Sequence, residues 1–324
     1  MMIFFGELAG IGLTRHNYKG VKKSMSVANP DKIHFLKANW CDSTVLESEG
    51  KYALIDTGFK GSFHRIDSFL KSHGVNKLEF VFLSHFHCDH YGGALQVLEN
   101  YEVDRLYTKE YKGLENKGSS GLVETQEYFE GERANYNAII EKATEKSSIH
   151  YITPELQPII LGNIKLTVFA KENNIERLYT DEKSPFKGIR KFSENNNSTI
   201  LYAEFMSGAC AVIAGDYVDV VTGYEPVDML NTKTAEAIGH MVDIYKLPHH
   251  ACGVGATEKI SSIYRPDHVV MTVSESFMQN GNSYTDNLRN SLASNPNVKF
   301  YYTAEHGYSF YMKEKGNICV KPIV

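Results

Sequence analysis

Histidine and aspartate are concentrated in one short segment, Ser84-His85-Phe86-His87-Cys88-Asp89-His90, which directly follows an apolar run. Alternate residues of an extended chain point to the same side, so His85, His87 and Asp89 can face one point. His90 joins them where the chain turns into a helix. Because imidazole and carboxylate groups that converge in a buried place need a cation, the segment predicts two neighbouring divalent ions. His85 and His87 would bind one ion, and Asp89 and His90 the other.

Three further segments end in residues of the same chemical type. Asp216 follows an apolar run and Gly215, and its two carboxylate oxygens can bridge two metals. His249 and His250 follow Lys246-Leu247-Pro248, so this pair can add a ligand to the second ion. Asp56 follows an earlier strand-like run, where it is predicted to orient a ligand histidine or hold the metal loop from behind.

The elements around these residues are short and mixed in type. From residue 32 onward, β-prone segments alternate with turns, and a helix is predicted where Phe63, Ile66, Phe69 and Leu70 recur at helical spacing. The apolar run LEFVFLSH predicts a strand buried on both faces, and residues 121–146 predict an amphipathic helix. The polar stretch 171–197 reads as a long irregular loop. Strands and helices fall in two successive halves, which is consistent with two packed sheets and helices outside.

The composition of the chain argues against several classes of protein. The 324 residues are 42% hydrophobic and 23% charged, and no apolar run approaches the roughly 20 residues of a membrane span. The net charge of −5 makes a nucleic-acid partner unexpected. Five scattered cysteines describe no disulfide framework and favour a cytoplasmic location, or a secreted one if a signal segment is missing from this sequence. Residues 1–30 are predicted to be a tail and residues 31–324 one domain. The oligomeric state is open.

The order of these motifs resembles the metallo-β-lactamase superfamily: Asp56 after an early strand, His85-x-His87-x-Asp89-His90, Asp216 after a glycine, and a late histidine pair. The resemblance implies an αββα four-layer sandwich. Within the superfamily, the segments LIDTG, GVNKLEFVFLSHFHCDH, NNNSTI and the histidine pair are similar to the phosphorylcholine esterase catalytic domain and to the hydrolase domains of DNA-uptake (competence) proteins.

Roles carried over from that resemblance complete the expected site. His85 and His87 bind the first metal, Asp89, His90 and His250 bind the second, and Asp216 lies between the two. His249 faces the substrate phosphate or exchanges roles with His250. Zinc is the expected metal, and manganese or iron suits the same ligands. Bound metals would activate water for hydrolysis of a phosphodiester or another small-molecule substrate, with Asp89 as a proton acceptor.

Two alternatives stay open at this stage. Most hydrolytic members carry a further histidine between the main cluster and the bridging aspartate, and only His150 lies in that interval here. A carboxylic hydrolase (lactonase, thioesterase or β-lactamase type) would require it as a ligand. The other alternative is a non-catalytic binding module. Candidate substrate contacts are Trp40, Phe86 and Tyr217, which could equally be packing residues.

Overall fold

The computed structural model describes residues 29–111, 126–172, 176–184, 187–188, 190–192, 194–220, 229–252, 258–279, 290–292, 295–314 and 316–323. Most of the predicted tail 1–30 therefore lies outside the described residues. All five cysteines are unpaired. Within the described part of the chain, no helix has both the length and the apolar character needed to cross a bilayer.

The strands, numbered in chain order, are β1 (Lys32–Phe35), β2 (Thr44–Ser48), β3 (Lys51–Ile55), β4 (Lys77–Leu78), β5 (Phe80–Phe82), β6 (Glu102–Val103), β7 (Arg105–Thr108), β8 (Ser148–Tyr151), β9 (Ile159–Leu161), β10 (Ile164–Phe169), β11 (Glu176–Leu178), β12 (Arg190–Phe192), β13 (Ile200–Glu204), β14 (Cys210–Ala214), β15 (Ile244–Lys246), β16 (His268–Met271), β17 (Lys299–Tyr302), β18 (Gly307–Glu314) and β19 (Asn317–Ile323). The α-helices are α1 (Phe63–Ser72), α2 (Cys88–Tyr91), α3 (Ala94–Asn100), α4 (Gln126–Thr144), α5 (Leu230–Ile238), α6 (Glu258–Tyr264) and α7 (Glu275–Gln279).

Most of the strands form two large sheets. The first has the order β19-β18-β1-β2-β3-β5-β7-β8, and the second has the order β17-β16-β15-β14-β13-β10-β9. In the first sheet β3, β5, β7 and β8 run parallel, and in the second sheet β14 to β17 run parallel. Since the carboxyl ends of parallel strands meet at one edge, each sheet gathers the loops that follow its parallel strands.

Three apolar cores separate four layers. The central core lies between the sheets and takes alternate residues from both, such as Phe80 and Phe82 of β5 and Ala211 and Ile213 of β14. A second core packs α1, α3 and α4 on the outer face of the first sheet. A third packs α5, α6 and α7 on the outer face of the second sheet. The architecture is the αββα sandwich that the resemblance implied.

The observed strands and helices are of the predicted types, but their boundaries differ from the predicted ones. The apolar run before the histidine cluster is divided: β4 pairs with β6, whereas β5 joins the first sheet with Val81 facing the outer core. The predicted helix after the cluster divides at Gly92 and Gly93 into α2 and α3. The stretch 171–197 is not wholly irregular, because β11 pairs with β12 and a 3₁₀ turn spans Glu194–Asn197.

Candidate metal centre

The first group of candidate ligands follows β5. The chain bends at residues 84–86, is extended again at His87 and then enters α2, whose first turn carries Asp89 and whose last residues include His90. His85 Nε2 lies 3.2 Å from His87 Nδ1, so these two ring nitrogens face the same space. His85 and His90 are both buried.

The second group comes from the other sheet. Asp216 follows β14, and its backbone N–H donates to Ser198 Oγ (2.9 Å). A side chain at Gly215 would place its Cβ 3.0 Å from Ser84 Oγ, so a glycine here lets the loops of the two sheets approach closely. His250 lies in the 3₁₀ turn His249–Ala251 after β15, with a φ of 49°.

The two groups meet at Asp216. Its Oδ1 lies 3.1 Å from His90 Nε2, and its Oδ2 lies 3.5 Å from His250 Nε2 and 3.8 Å from His85 Nε2. Asp89 Oδ2 lies 3.0 Å from His250 Nε2 and 3.8 Å from His90 Nε2. Each carboxylate thus contacts histidines, and Asp216 reaches both groups.

These residues fit divalent cations. Two tetrahedral ligand atoms held about 2.1 Å from one zinc ion lie roughly 3.4 Å apart. The distances between neighbouring ligand atoms in the cluster, 3.0 to 3.8 Å, include this value. His90 Nε2 and Asp216 Oδ1 are buried and 3.1 Å apart, and among the described residues neither has a hydrogen bond of acceptable geometry. Buried polar atoms without a partner are costly, and a shared cation would satisfy both.

Carboxylates also stand behind the ligand histidines. Asp56 Oδ2 lies 2.7 Å from His90 Nδ1, and the same carboxylate accepts hydrogen bonds from the backbone N–H and the hydroxyl of Ser84 (both 2.7 Å). This is the position predicted for Asp56. Because Nδ1 is engaged, Nε2 of His90 is left to face the cluster.

Asp42 performs the same task for His250 and was not predicted. Its Oδ1 lies 3.2 Å from His250 Nδ1, and Thr272 Oγ1 lies 2.8 Å from the same nitrogen. Asp42 does fall within ligand distance of His90, Asp216 and His250. However, Asp42 faces the Nδ1 atoms of His90 and His250 rather than their Nε2 atoms. The buried ammonium of Lys246 also contacts Asp42 directly. Asp42 therefore contacts the ring nitrogen of His250 that does not face Asp89 and Asp216, a position from which it can orient this candidate ligand.

The charges of the cluster displace several pKa values. Burial alone would lower the pKa of His90, but Asp216 and Asp56 outweigh it and raise that pKa well above its usual value. Asp216 and Asp42 do the same for His250. Burial, reinforced by His90, lowers the pKa of His85 well below its usual value. Despite its burial, Asp216 has a strongly lowered pKa because His90 and His250 surround it.

His249 lies beside the cluster. Its ring centroid is 6.2 Å from that of His250, and its Nε2 contacts Asn195 Nδ2 at 3.3 Å. Burial lowers the pKa of His249, which favours a neutral ring. Of the histidine pair, then, His250 joins the candidate ligands and His249 does not.

The predicted substrate contacts need correction. Phe86 is 3% exposed and stacks on Tyr91 with ring centroids 3.8 Å apart, inside the outer core of the first sheet. Tyr217 is 0% exposed in the outer core of the second sheet. Both rings serve packing, because no ligand in an open cleft could contact them. Trp40 alone is accessible: it is 37% exposed, 4.7 Å from Phe277 and 6.3 Å from His250 by ring centroids.

His150 lies away from the cluster. It is on β8, the edge strand of the first sheet, where its ring stacks on Tyr107 (5.0 Å) and its Nε2 lies 3.0 Å from Ser148 Oγ. It is not among the groups of ligand-type residues that converge in the described part of the chain.

Sequence reasoning missed Asp42, Lys246 and Asn195 as site residues. Asp42 and Lys246 are 204 residues apart, and nothing in their local sequences distinguishes them from an ordinary turn residue and a strand-end lysine. Asn195 lies in an asparagine run that was noted only as part of the resemblance.

Comparison with known proteins agrees with this architecture. Residues 40–160 match the profile of the Metallo-beta-lactamase superfamily. The Lactamase-like protein nscB of Arthroderma gypseum is 27% identical over 161 residues, 49% of each chain. That of Trichophyton rubrum is 28% identical over 161 residues, 49% of this chain and 47% of the relative. The chain thus spans about half the length of the curated relatives it matches.

Solved structures were also compared with this chain. One that can be superposed on it is the metallo-beta-lactamase fold protein YhfI from Bacillus subtilis. The TM-score is 0.48 at 11% identity, and the match covers 85% of this chain and 96% of YhfI. Igni18, a metallo hydrolase from Ignicoccus hospitalis, has a TM-score of 0.46, 12% identity and coverage of 91% of this chain and 100% of that one. Residues 40–160, which contain the His85–His90 cluster, thus resemble the metallo-beta-lactamase superfamily, and the described part of the chain has an αββα fold.

Proposed function

We propose that this protein is a hydrolase with a dinuclear, zinc-type metal centre, acting on phosphodiesters in the manner of a phosphorylcholine esterase. The observation that carries the proposal is the convergence of His85, His87, Asp89, His90, Asp216 and His250 from two sheets, with ligand atoms 3.0 to 3.8 Å apart. Nitrogen and carboxylate donors of this kind suit zinc, and manganese or iron are the alternatives.

In this proposal His85 and His87 would hold one cation, Asp89, His90 and His250 would hold the other, and Asp216, which reaches both groups, would serve both. Cations bound there would lower the pKa of a water molecule and offset the negative charge that develops on the phosphoryl group. Asp56 and Asp42 keep the Nε2 atoms of His90 and His250 directed at the cluster. We assign Asp89 as the acceptor of the proton that the attacking water would give up.

The side chains next to His250 indicate which chemical groups a substrate could carry. Trp40 and Phe277 form an accessible aromatic pair next to His250, which suits an apolar or quaternary ammonium group on one side of the phosphate. His249 is a polar neighbour of His250, with ring centroids 6.2 Å apart, and we assign it to a phosphate oxygen.

A phosphoric ester is favoured over a carboxylic substrate by the ligands of the first cation. The carboxylic hydrolase alternative needs a third histidine beside His85 and His87, whereas His150 is stacked on Tyr107 at a sheet edge. A binding module without catalysis is disfavoured because a complete set of ligand-type residues for two cations is retained.

The test is metal analysis of the purified protein, followed by turnover of bis-p-nitrophenyl phosphate and of nitrocefin. We expect about two metal ions per chain and turnover of the phosphodiester only. Asp216→Ala should lose both bound metal and activity, whereas Asp181→Ala, at an exposed position, should retain both. Full activity of Asp216→Ala would refute the two-metal site, and turnover of nitrocefin alone would refute the phosphodiester assignment.

A further inference from the structure

One buried carboxylate contacts the backbone of the loop that follows β5 rather than the ligand side chains on it. Glu194 begins the 3₁₀ turn Glu194–Asn197, and its Oε1 accepts a hydrogen bond from the backbone N–H of Phe86 (3.1 Å). Phe86 lies between His85 and His87, at a bend that spans residues 84–86. Glu194 therefore holds the backbone between the two residues that would bind the first cation.

The carboxylate of Glu194 is itself fixed in place. Its Oε2 lies 3.0 Å from Nδ2 of Asn197, and because a carboxylate can only accept, the amide nitrogen is the atom that must face it. Both oxygens thus have a partner, and the side chain is buried. A buried carboxylate is costly unless hydrogen bonds and nearby charges compensate it, so packing alone does not account for a glutamate at this position.

The residues after Glu194 contact the same loops through their own hydrogen bonds. The backbone N–H of Thr199 donates to Ser84 O (3.1 Å), and Ser198 Oγ accepts from the backbone N–H of Asp216 (2.9 Å). This segment therefore contacts the backbone on both sides of the candidate centre. Within it, Glu194 is the residue that reaches the bend between the two histidines.

A different role for the carboxylate has to be separated from this one, because the buried side chain of Lys109 lies near it. Lys109 follows β7, and its ammonium donates to Lys171 O (3.0 Å). Burial lowers the pKa of Lys109 to about 8, and the negative charge of Glu194 counteracts that shift. A counter-charge for Lys109 requires only the charge of Glu194. An anchor for Phe86 requires an acceptor oxygen at the right distance.

We propose that Glu194 is a positioning residue for the first cation: its hydrogen bond to the backbone N–H of Phe86 fixes the bend at which the rings of His85 and His87 converge. His85 Nε2 and His87 Nδ1 lie 3.2 Å apart, and a rotation of the Phe86 backbone would separate them. The assignment of these two rings to a cation rests on the proposed function. The hold on the Phe86 backbone does not, and it can be measured without metal or substrate.

Two conservative substitutions separate the hydrogen bond from the charge. Glu194→Asp keeps the charge but withdraws the carboxylate by one carbon–carbon bond, about 1.5 Å. Glu194→Gln removes the charge but keeps an acceptor oxygen at the same distance, and the amide of Asn197 can turn to offer its oxygen to the new NH2 group. If Glu194 anchors Phe86, Glu194→Asp is the harmful substitution and Glu194→Gln is tolerated.

The first measurement is amide hydrogen exchange of Phe86 in the metal-free protein, followed by NMR. The Phe86 N–H should exchange slowly in the unaltered protein and in Glu194→Gln. In Glu194→Asp it should exchange roughly 10-fold faster or more, because a hydrogen bond to a charged acceptor is lost. An unchanged exchange rate in Glu194→Asp would overturn the inference, whether or not metal binds.

The second measurement is titration of the metal-free protein with zinc in competition with a chromophoric chelator. Glu194→Asp should weaken the binding of one zinc ion by about 10- to 100-fold and leave the other unchanged, since residues behind a ligand typically affect metal affinity by this amount. Glu194→Gln should bind both ions as the unaltered protein does. His87→Ala removes a proposed ligand of the first cation only, so it identifies which binding step belongs to that cation.

Glu47→Asp is the matched control. It shortens another buried glutamate, on β2, whose carboxylate contacts Lys32 (2.6 Å) and His34 (3.3 Å). This variant should leave the exchange of Phe86 and both zinc affinities unchanged.

Two outcomes of the zinc titration would overturn the inference. Weakened zinc binding in Glu194→Gln but not in Glu194→Asp would assign Glu194 to the charge of Lys109. Equal weakening of both zinc ions in Glu194→Asp would indicate a general loss of structure. If the unaltered protein binds no zinc, the proposed function fails, while the exchange of Phe86 still decides whether Glu194 holds the loop. Absence of phosphodiester turnover would count against the proposed function only.

Discussion

His90 and His250 each lie between two carboxylates. Their Nε2 atoms face Asp216, and their Nδ1 atoms face Asp56 and Asp42 respectively. Without a cation, a protonated ring is the best available neighbour for such carboxylates, which is why both pKa values are raised. The ring protons of His90 and His250 therefore supply positive charge that bound cations would otherwise supply.

Metal binding should consequently release these protons. A ligand imidazole must be unprotonated at Nε2, so at pH 7 we expect about two protons to leave per chain when zinc fills the site. The zinc affinity should rise with pH until it passes the raised pKa values, and then level off. In the metal-free protein the imidazolium–carboxylate contacts stabilise the fold below the ordinary histidine pKa, and that stabilisation is lost as pH rises through the raised values.

Calorimetric titration of zinc into metal-free protein, repeated in buffers of different ionisation enthalpy, measures this release. Asp56→Asn should lower it, because one of the carboxylates that raise the pKa of His90 is removed while the proposed ligands are kept. A zinc affinity independent of pH between 6 and 8, with no proton release, would contradict the expectation.

At the residue scale, the sequence was most informative where chemistry is local. His85 to His90 lie in one segment, and their spacing on an extended chain indicated the cluster directly. Asp42, by contrast, acts on a histidine 208 positions later, and its role depends on Lys246 and Thr272 arriving from the other sheet. Such pairing is a property of the fold and has no local signal.

Among the elements, the junction of α2 and α3 packs closely against the loop that follows β3. A Cβ on Gly93 would lie 2.6 Å from the carbonyl oxygen of Thr57. Thr57 in turn contacts His90, because its backbone N–H and its hydroxyl both donate to His90 O (2.6 and 2.9 Å). A displacement of Thr57 therefore reaches a candidate ligand through two hydrogen bonds.

Gly93→Ala should reduce both stability and zinc affinity. Relieving the clash requires a backbone shift, which costs about 1–3 kcal/mol of the free energy of unfolding. Gly61→Ala is the control, since a Cβ there meets nothing within 4 Å and should change stability by about 0.5 kcal/mol at most. Urea unfolding and zinc titration of both variants provide the comparison, and equal effects would show that the packing at Gly93 is unimportant.

Element types could be predicted from hydrophobic patterning, and boundaries could not. β14 has its alternate residues in two different cores, which accounts for the uninterrupted apolar run in its sequence. The run 78–85 has a similar pattern, yet it is divided, because Lys77 and Leu78 pair with β6 while Phe80 to Phe82 pair with β3 and β7. Partner strands determined that division, and they come from elsewhere in the chain.

At the scale of the whole molecule, the candidate site requires that the two sheets keep a fixed position relative to each other. The Asp42–Lys246 ion pair connects a loop of the first sheet to the end of β15 in the second, and Lys246 Nζ also donates to Ala214 O (2.8 Å). Both side chains are buried. Thr199 adds a backbone hydrogen bond from its N–H to Ser84 O (3.1 Å).

Lys246→Met should therefore destabilise the protein strongly, by about 3–5 kcal/mol, because it leaves the Asp42 carboxylate buried without its cation. Asp42→Asn/Lys246→Met removes both charges and should recover part of that loss. Urea unfolding of the single and double variants gives the coupling free energy of the pair. Simple additivity of the two single substitutions would indicate that the ion pair does not couple the sheets.

The strand order also bears on how the protein is made. β1 needs β18 as a neighbour in the first sheet, and the His34–Ser309 contact between them spans 275 residues. The candidate ligands are likewise divided, since those of residues 85–90 belong to the first sheet and Asp216 and His250 to the second. A nascent chain carrying only the first group cannot yet hold two ions with its full ligand set. The proposed two-cation site can therefore be completed only after translation has passed β15, and the first sheet only after β18 and β19 have been synthesised.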